Sequence, residues 1–175
     1  MTFVARHALW SDEQRDAASR MRRIVEEKNL EVIRLAFPDQ HGILRGKTLI
    51  ASEAIASLES GCSITTTMLA KDTSHRTVFP VFTAGGGFGM KEMEGAADVL
   101  MVADPTTFRV LPWAQTTGGV LCALCFVVGR PVPVAARWLC PRSGRMWLVR
   151  GLRAETGGSS RRARCVRRRP RRDAR

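Results

Sequence analysis

Four groupings of residues in this chain have types and spacings suited to chemistry. Cys122-x-x-Cys125 has the spacing of half a metal site. It falls inside an apolar run, residues 120–128, that reads as a strand covered on both faces. Residues three apart on a strand point to opposite faces, so one ion would not easily take both thiolates. No second cysteine pair completes a tetrahedral set, and the two are expected to be buried strand cysteines. His41, in Pro38-Asp39-Gln40-His41-Gly42, has the type of a ligand or a base; with no partner to complete a site it reads as a plain turn histidine. The run Gly85-Gly86-Gly87-Phe88-Gly89 has no Lys-Ser/Thr after it, and Met90 stands where a G-x-G-x-x-G pattern needs glycine. It is expected to be a flexible or tightly turned loop rather than a phosphate cradle. The fourth grouping is basic: residues 141–175 hold 13 Arg against Glu155 and Asp173, whereas residues 1–140 hold 15 Lys and Arg against 14 Asp and Glu. The formal charge of +12 therefore belongs to the last fifth of the chain.

The elements that would position these groups follow from pattern. Residues 1–9 are unpatterned and expected to be loose. Ser11 with Gln14 three positions on fits a capping box, and Asp12 and Glu13 sit in the first turn. Ala17, Met21, Ile24, Val25 and Lys28 then step by three and four, which predicts an amphipathic helix; the acids that balance its arginines argue against a nucleic-acid helix. Residues 31–37 and 43–50 read as two strands of a hairpin about the 38–42 turn. Ser52 is expected to cap a short helix over 53–60, with Ile55 and Leu58 inward and Gly61 as a left-handed stop. Residues 64–69 read as a strand or a buried extended piece. A long irregular stretch to residue 97 follows, and loops of such length are usually functional or mobile. Residues 98–102 and 107–111 read as two paired strands around a corner at Asp104-Pro105. Two strands, a helix and further strands make an α+β arrangement.

At 175 residues there is room for one domain and a tail. The five cysteines are odd in number and have no framework spacing. No N-terminal signal pattern is present, and the longest apolar run is too short to span a bilayer. A reducing, cytoplasmic setting is expected.

The segment Ala103-Asp104-Pro105-Thr106-Thr107-Phe108-Arg109-Val110-Leu111-Pro112-Trp113 closely resembles the P-D-P-[ST]-T-x-R-x-[LI]-P-W segment of glutamine synthetases and related γ-glutamyl-amide ligases. In that family it lies in the small N-terminal β-grasp domain, ahead of the catalytic barrel. Asp39-Gln40-His41-Gly42, followed by Arg45-Gly46-Lys47, resembles the family's first hairpin turn. Thr117, Gly118, Val120, Leu121, Cys122, Leu124, Gly129, Pro131 and Arg137 match the pattern that leads to the barrel. Gly119, Ala123, Cys125 and Val128 depart from it, standing for a Trp, an Asp, an aromatic and an Asp. The resemblance is dense over residues 31–118, patchy to 140 and absent beyond. It implies an N-terminal helical segment (1–30), a glutamine synthetase-like β-grasp domain (31–140) with a mixed sheet and one short packing helix, and an Arg-rich tail (141–175), disordered or frameshifted.

The resemblance also implies a chemistry. The family joins ammonia or another amine to the γ-carboxyl of glutamate, through γ-glutamyl phosphate, using ATP and Mg or Mn. An acidic, serine-containing loop of the β-grasp domain reaches the active site of a neighbouring subunit in a ring, where its Asp helps bind and deprotonate the ammonium. By position Asp72 and Ser74 are the candidate counterparts, in Lys71-Asp72-Thr73-Ser74 rather than the F-D-G-S-S of many bacterial members. A carboxylate near a developing ammonium favours the charge and can accept its proton; a plain loop aspartate is the competing reading. The metal-binding glutamates and ATP segments of the barrel have no counterpart here, so the chain is expected to bind no cofactor and to be inactive alone. Three readings of the tail stand open: an arm that binds nucleic acid electrostatically, an inert extension, and, favoured, the product of a shifted reading frame. The rival functions are a small basic nucleic-acid-binding protein acting through residues 141–175 and a non-catalytic module that joins ligase rings.

Overall fold

The computed structural model describes residues 1–138; the tail, residues 141–175, lies outside the described residues. Six strands form one mixed sheet: β1 (Val32–Pro38), β2 (Leu44–Ile50), β3 (Cys62–Thr65), β4 (Asp98–Ala103), β5 (Arg109–Leu111) and β6 (Ala114–Cys125), in the order β2-β1-β6-β4-β3 with β5 also on β6. Helices α1 (Phe3–Arg6), α2 (Asp12–Glu27) and α3 (Ala51–Ala56) accompany them. The α+β class and mixed sheet expected from the sequence are what the structure has.

The first hairpin forms as expected, β1 antiparallel to β2 from Val32↔Ile50 to Pro38↔Leu44. Its far partner is β6, which runs parallel to β1 from Val32↔Thr117 to Ala36↔Leu121. Along β1 the alternation buries Ile33, Leu35 and Phe37 and leaves Arg34 on the opposite face. Val120, Cys122 and Leu124 of β6 and Met101 of β4 continue the buried face. Glycine is required where Phe108 crosses this face: a Cβ on Gly118 would sit 2.6 Å from the Phe108 ring and 2.7 Å from Ile33 Cδ1.

Helix α2 covers that face with Ala17, Ala18, Met21 and Val25. Its start is the expected capping box: Gln14 N–H donates to Ser11 Oγ at 3.3 Å and Ser11 N–H to Gln14 Oε1 at 3.0 Å. Its end is a Schellman turn, with Asn29 at φ +48°, Leu30 N–H on Val25 O at 3.0 Å and Asn29 N–H on Glu26 O at 3.1 Å. Truncating the fully buried Met21 to Ala would cost about 2–5 kcal/mol.

Five expectations need correction. Residues 64–69 are not extended throughout: the strand stops at Thr65 and Thr66–Ala70 form a 3-10 turn, whose start is fixed by Thr67 N–H on Thr65 Oγ1 at 3.4 Å. Residues 1–9 are not loose: α1 is capped by Thr2, buries Val4 and ties it to the chain through Val4 N–H on Glu59 O at 2.9 Å. A single turn is too short to show a helical period, which is why the pattern missed it. Ser52 does not cap α3. The helix starts directly from β2 at Ala51, whose amide donates to Glu31 O at 2.8 Å, so a donor that a side-chain cap would serve is already satisfied. Leu58 and the left-handed Gly61 are as expected. The strand expected over 120–128 ends at Cys125. Gly129, at φ +82°, closes a turn with its N–H on Phe126 O at 2.8 Å, and Val127 and Val128 are exposed. Finally, β4 and β5 do not pair with each other. Both run antiparallel to β6 along the same edge, Ala103 opposite Cys122 and Arg109 opposite Gly119. The Asp104-Pro105 corner is one 3-10 turn (Pro105–Thr107) that interrupts a single line of pairing, and the hairpin lies instead between β5 and β6.

Candidate functional site

The β1–β2 turn and the loop after β3 meet at one buried cation. Asp39 ends β1; its Oδ1 accepts from the amides of His41 (2.8 Å) and Ile43 (2.9 Å) and so shapes the turn. Its Oδ2 accepts from Arg45 Nε at 2.7 Å, with 1 % of Asp39 and 7 % of the Arg45 side chain exposed. Burial pushes the Asp39 carboxyl up, but the Arg45 guanidinium and the two amides outweigh it and hold it below the usual carboxylate range. The rest of the Arg45 fork reaches the other loop: Nη2 donates to the Asp72 carbonyl at 3.2 Å and Nη1 to His75 Nδ1 at 2.9 Å. A guanidinium only donates, so His75 Nδ1 is the acceptor of this contact. Arg45 thus braces the loop that carries Asp72.

That loop is a tight excursion. Lys71 bridges Thr77, His75 sits at φ +65°, and Val78 N–H returns to Ala70 O at 2.9 Å. Asp72 is half-buried, and its Oδ1 accepts from the amides of Ser74 (2.8 Å) and Arg76 (2.9 Å). Among the described residues Asp72 has no ion pair and no hydrogen bond is given to its Oδ2. Ser74 is exposed beside it. The structure therefore brings Asp72 and Ser74 together at the surface, with one carboxylate oxygen fixed and the other turned to no partner.

The other groupings resolve plainly. His41 is exposed in its turn, as expected. The glycine run is the tightly turned alternative, with Gly85, Gly87 and Gly89 at positive φ. Cys122 and Cys125 are free and buried; burial pushes the Cys122 thiol up to about 12 and that of Cys125 up as well, so neither is a thiolate near neutrality. Among the described residues no three His, Cys, Asp or Glu converge on a point. Divalent cations with a nucleotide need several carboxylates, so these residues do not fit ATP and its metals, and no step is drawn through them. Nor is any described helix long and apolar enough to cross a membrane.

Sequence reasoning missed two constellations. Asp39 and Arg45 flank a hairpin turn, and the register Phe37↔Arg45 makes them diagonal neighbours on one face; that spacing was the available signal. Asp104 is the second. It ends β4, accepts from Thr106 N (3.3 Å), Thr106 Oγ1 (2.7 Å) and Gln14 Nε2 (3.1 Å) on Oδ1, and pairs with Arg137 through Oδ2. No local pattern announces a partner 33 residues away. Burial pushes the Asp104 carboxyl up, and the hydrogen bonds from Thr106 and Gln14 together with Arg137 bring it below its ordinary value.

No family model matches the chain. Among curated proteins it is 40% identical over 158 residues to the gamma-glutamylanilide synthase of Acinetobacter sp, covering 89% of this chain and 31% of that protein. It is 31% identical over 139 residues to the gamma-glutamylethanolamide synthetase GlnA4 of Streptomyces coelicolor, covering 77% and 28%. Among solved structures, GmaS without ligand superposes at a TM-score of 0.48 with 24% identity, over 65% of this chain and 22% of that one. The chain spans about a third of the length of the curated relatives it matches. By sequence it belongs to the glutamine synthetase-like family of ligases.

Proposed function

We propose that this chain is the sheet domain of a cytoplasmic, ring-forming glutamine synthetase-like ligase and acts by lending its Asp72 loop to a neighbouring subunit. The parent reaction is the ATP-dependent joining of an amine to the γ-carboxyl of glutamate. The observation that carries this reading is the 40% identity over 89% of the chain to a gamma-glutamylanilide synthase. The relatives' names point to an anilide and an ethanolamide, which favours an organic amine over ammonia as the acceptor. In this reading the free Oδ2 of Asp72 faces the incoming amine, holds it while it is cationic and takes its proton so that the lone pair can attack. Ser74 offers a hydroxyl beside it. Arg45 keeps the loop in place from behind.

On this reading the chain alone makes no γ-glutamylamide, because its described residues offer no site for ATP and metals. The test mixes the full chain with a full-length homologous ligase whose own loop carboxylate has been replaced, and supplies ATP, glutamate and ethanolamine, aniline or ammonia. Restored amide formation supports the reading. Product from the chain alone, or no co-elution with the ligase, overturns it. A second reading rests on the 13 arginines of residues 141–175, outside the described residues: electrostatic binding of nucleic acid. That requires an affinity that falls steeply with salt and disappears when residues 141–175 are deleted.

A further inference from the structure

The sheet has a second face, and over β2, β1, β6 and β5 it is open. One register row crosses these strands as Thr48, Arg34, Gly119 and Arg109, and the next as Gly46, Ala36 and Leu121. Gly119 in the first row and Gly46 and Ala36 in the next are small, so the floor lies low between the arginines. Leu44 stands at one side and Leu111 and Trp113 at the other, with Leu44 48% and Trp113 67% exposed. Together they enclose a groove of about 460 Å³, within the range of small-molecule sites.

Its charge is one-sided. Arg34 and Arg109 line the groove without an ion pair among the described residues, and no Asp or Glu lines it. Arg45, on the opposite face, is already held by Asp39. Cations left unpaired beside an apolar wall attract an anion more strongly than they would in open water, because the wall lowers the local dielectric. The apolar floor and the exposed indole suit a flat body. Gly119 opens this floor at a position where the family pattern has Trp, so the groove belongs to this chain's own sequence.

We propose that this face binds an organic anion, with its flat apolar body on the Gly119 and Ala36 floor and its carboxylate, sulfonate or phosphate between Arg34 and Arg109. The site is distinct from the Asp72 loop and does not depend on the ligase reading. Its test uses the full chain and two dyes with similar aromatic bodies: 1-anilinonaphthalene-8-sulfonate, which is anionic, and N-phenyl-1-naphthylamine, which is not. The anionic dye should bind saturably with enhanced emission, and the neutral dye about tenfold more weakly. Replacing Arg34→Gln and Arg109→Gln together should weaken the anionic dye about tenfold and leave the neutral dye nearly unchanged. Gly119→Trp should abolish both. Arg34→Lys with Arg109→Lys should keep most of the binding, which separates lost charge from lost fold. The arginines of residues 141–175 also attract anions, but binding there ignores all of these substitutions. Equal affinity for the two dyes, or an anionic-dye affinity indifferent to both the Gln pair and Gly119→Trp, would overturn the proposal.

Discussion

Three aspartates in this chain use one oxygen alike and the other differently. Asp39, Asp72 and Asp104 each follow a strand or helical turn and hold backbone amides with Oδ1. Asp39 and Asp104 give Oδ2 to an arginine, Arg45 and Arg137. Asp72 gives it to nothing among the described residues. The first two are anchors: Asp39 holds Arg45, which reaches on to the Asp72 loop, and Asp104 joins Gln14 and Arg137, 90 and 33 residues away. The third shapes a loop and keeps a carboxylate oxygen in reserve. The same local turn chemistry thus serves stability in two places and leaves a reactive group in one.

The comparison is most easily broken at Asp39. Asp39→Ala leaves Arg45 buried and uncompensated, so it should cost about 3–5 kcal/mol in urea-induced unfolding; a loss below about 1 kcal/mol would mean the pair is no anchor. Asp104→Ala should cost less, about 1–3 kcal/mol, because this pair is a sixth to a fifth exposed. It should also speed amide exchange at Arg137, the residue that Asp104 holds.

Acid should show the same order. Both carboxyls lie below their ordinary value in the folded chain, so their contribution is present above the unfolded Asp range and is lost as the pH falls through the folded values. Unfolding free energy should therefore decline below about pH 4, and Asp39→Asn should flatten that decline. A pH profile indifferent to Asp39→Asn would contradict the ion pair. The smallest effect belongs to Asp72. Asp72→Asn keeps the acceptor for the Ser74 and Arg76 amides, so thermal unfolding should change by less than about 0.5 kcal/mol.

Much of this frame was legible in the residues. The Ser11–Gln14 capping box, the β1–β2 hairpin and the buried cysteines of β6 all follow from neighbours in sequence, where period and turn chemistry act. What was hidden is non-local. The interruption between β4 and β5 depends on both finding β6, and the Asp-Pro corner looks the same whether it turns a hairpin or breaks one strand. Trp10 anchors the N-terminal segment by donating to Ala103 O at 2.9 Å, a partner 93 residues away that no pattern announces. The Asp72 loop was found through resemblance, but its brace was not, because Arg45 reaches it across 27 residues of chain.

The central claim, that the unpaired aspartate is the working one, is tested most directly by comparing Asp72→Asn with the unaltered chain in the mixed assembly with a loop-disabled homologous ligase. The account predicts equal unfolding midpoints and equal co-elution, with amide formation restored by the unaltered chain and lost by at least about a hundredfold with Asp72→Asn. Equal restoration by the two would show that Asp72 is a turn residue and no more.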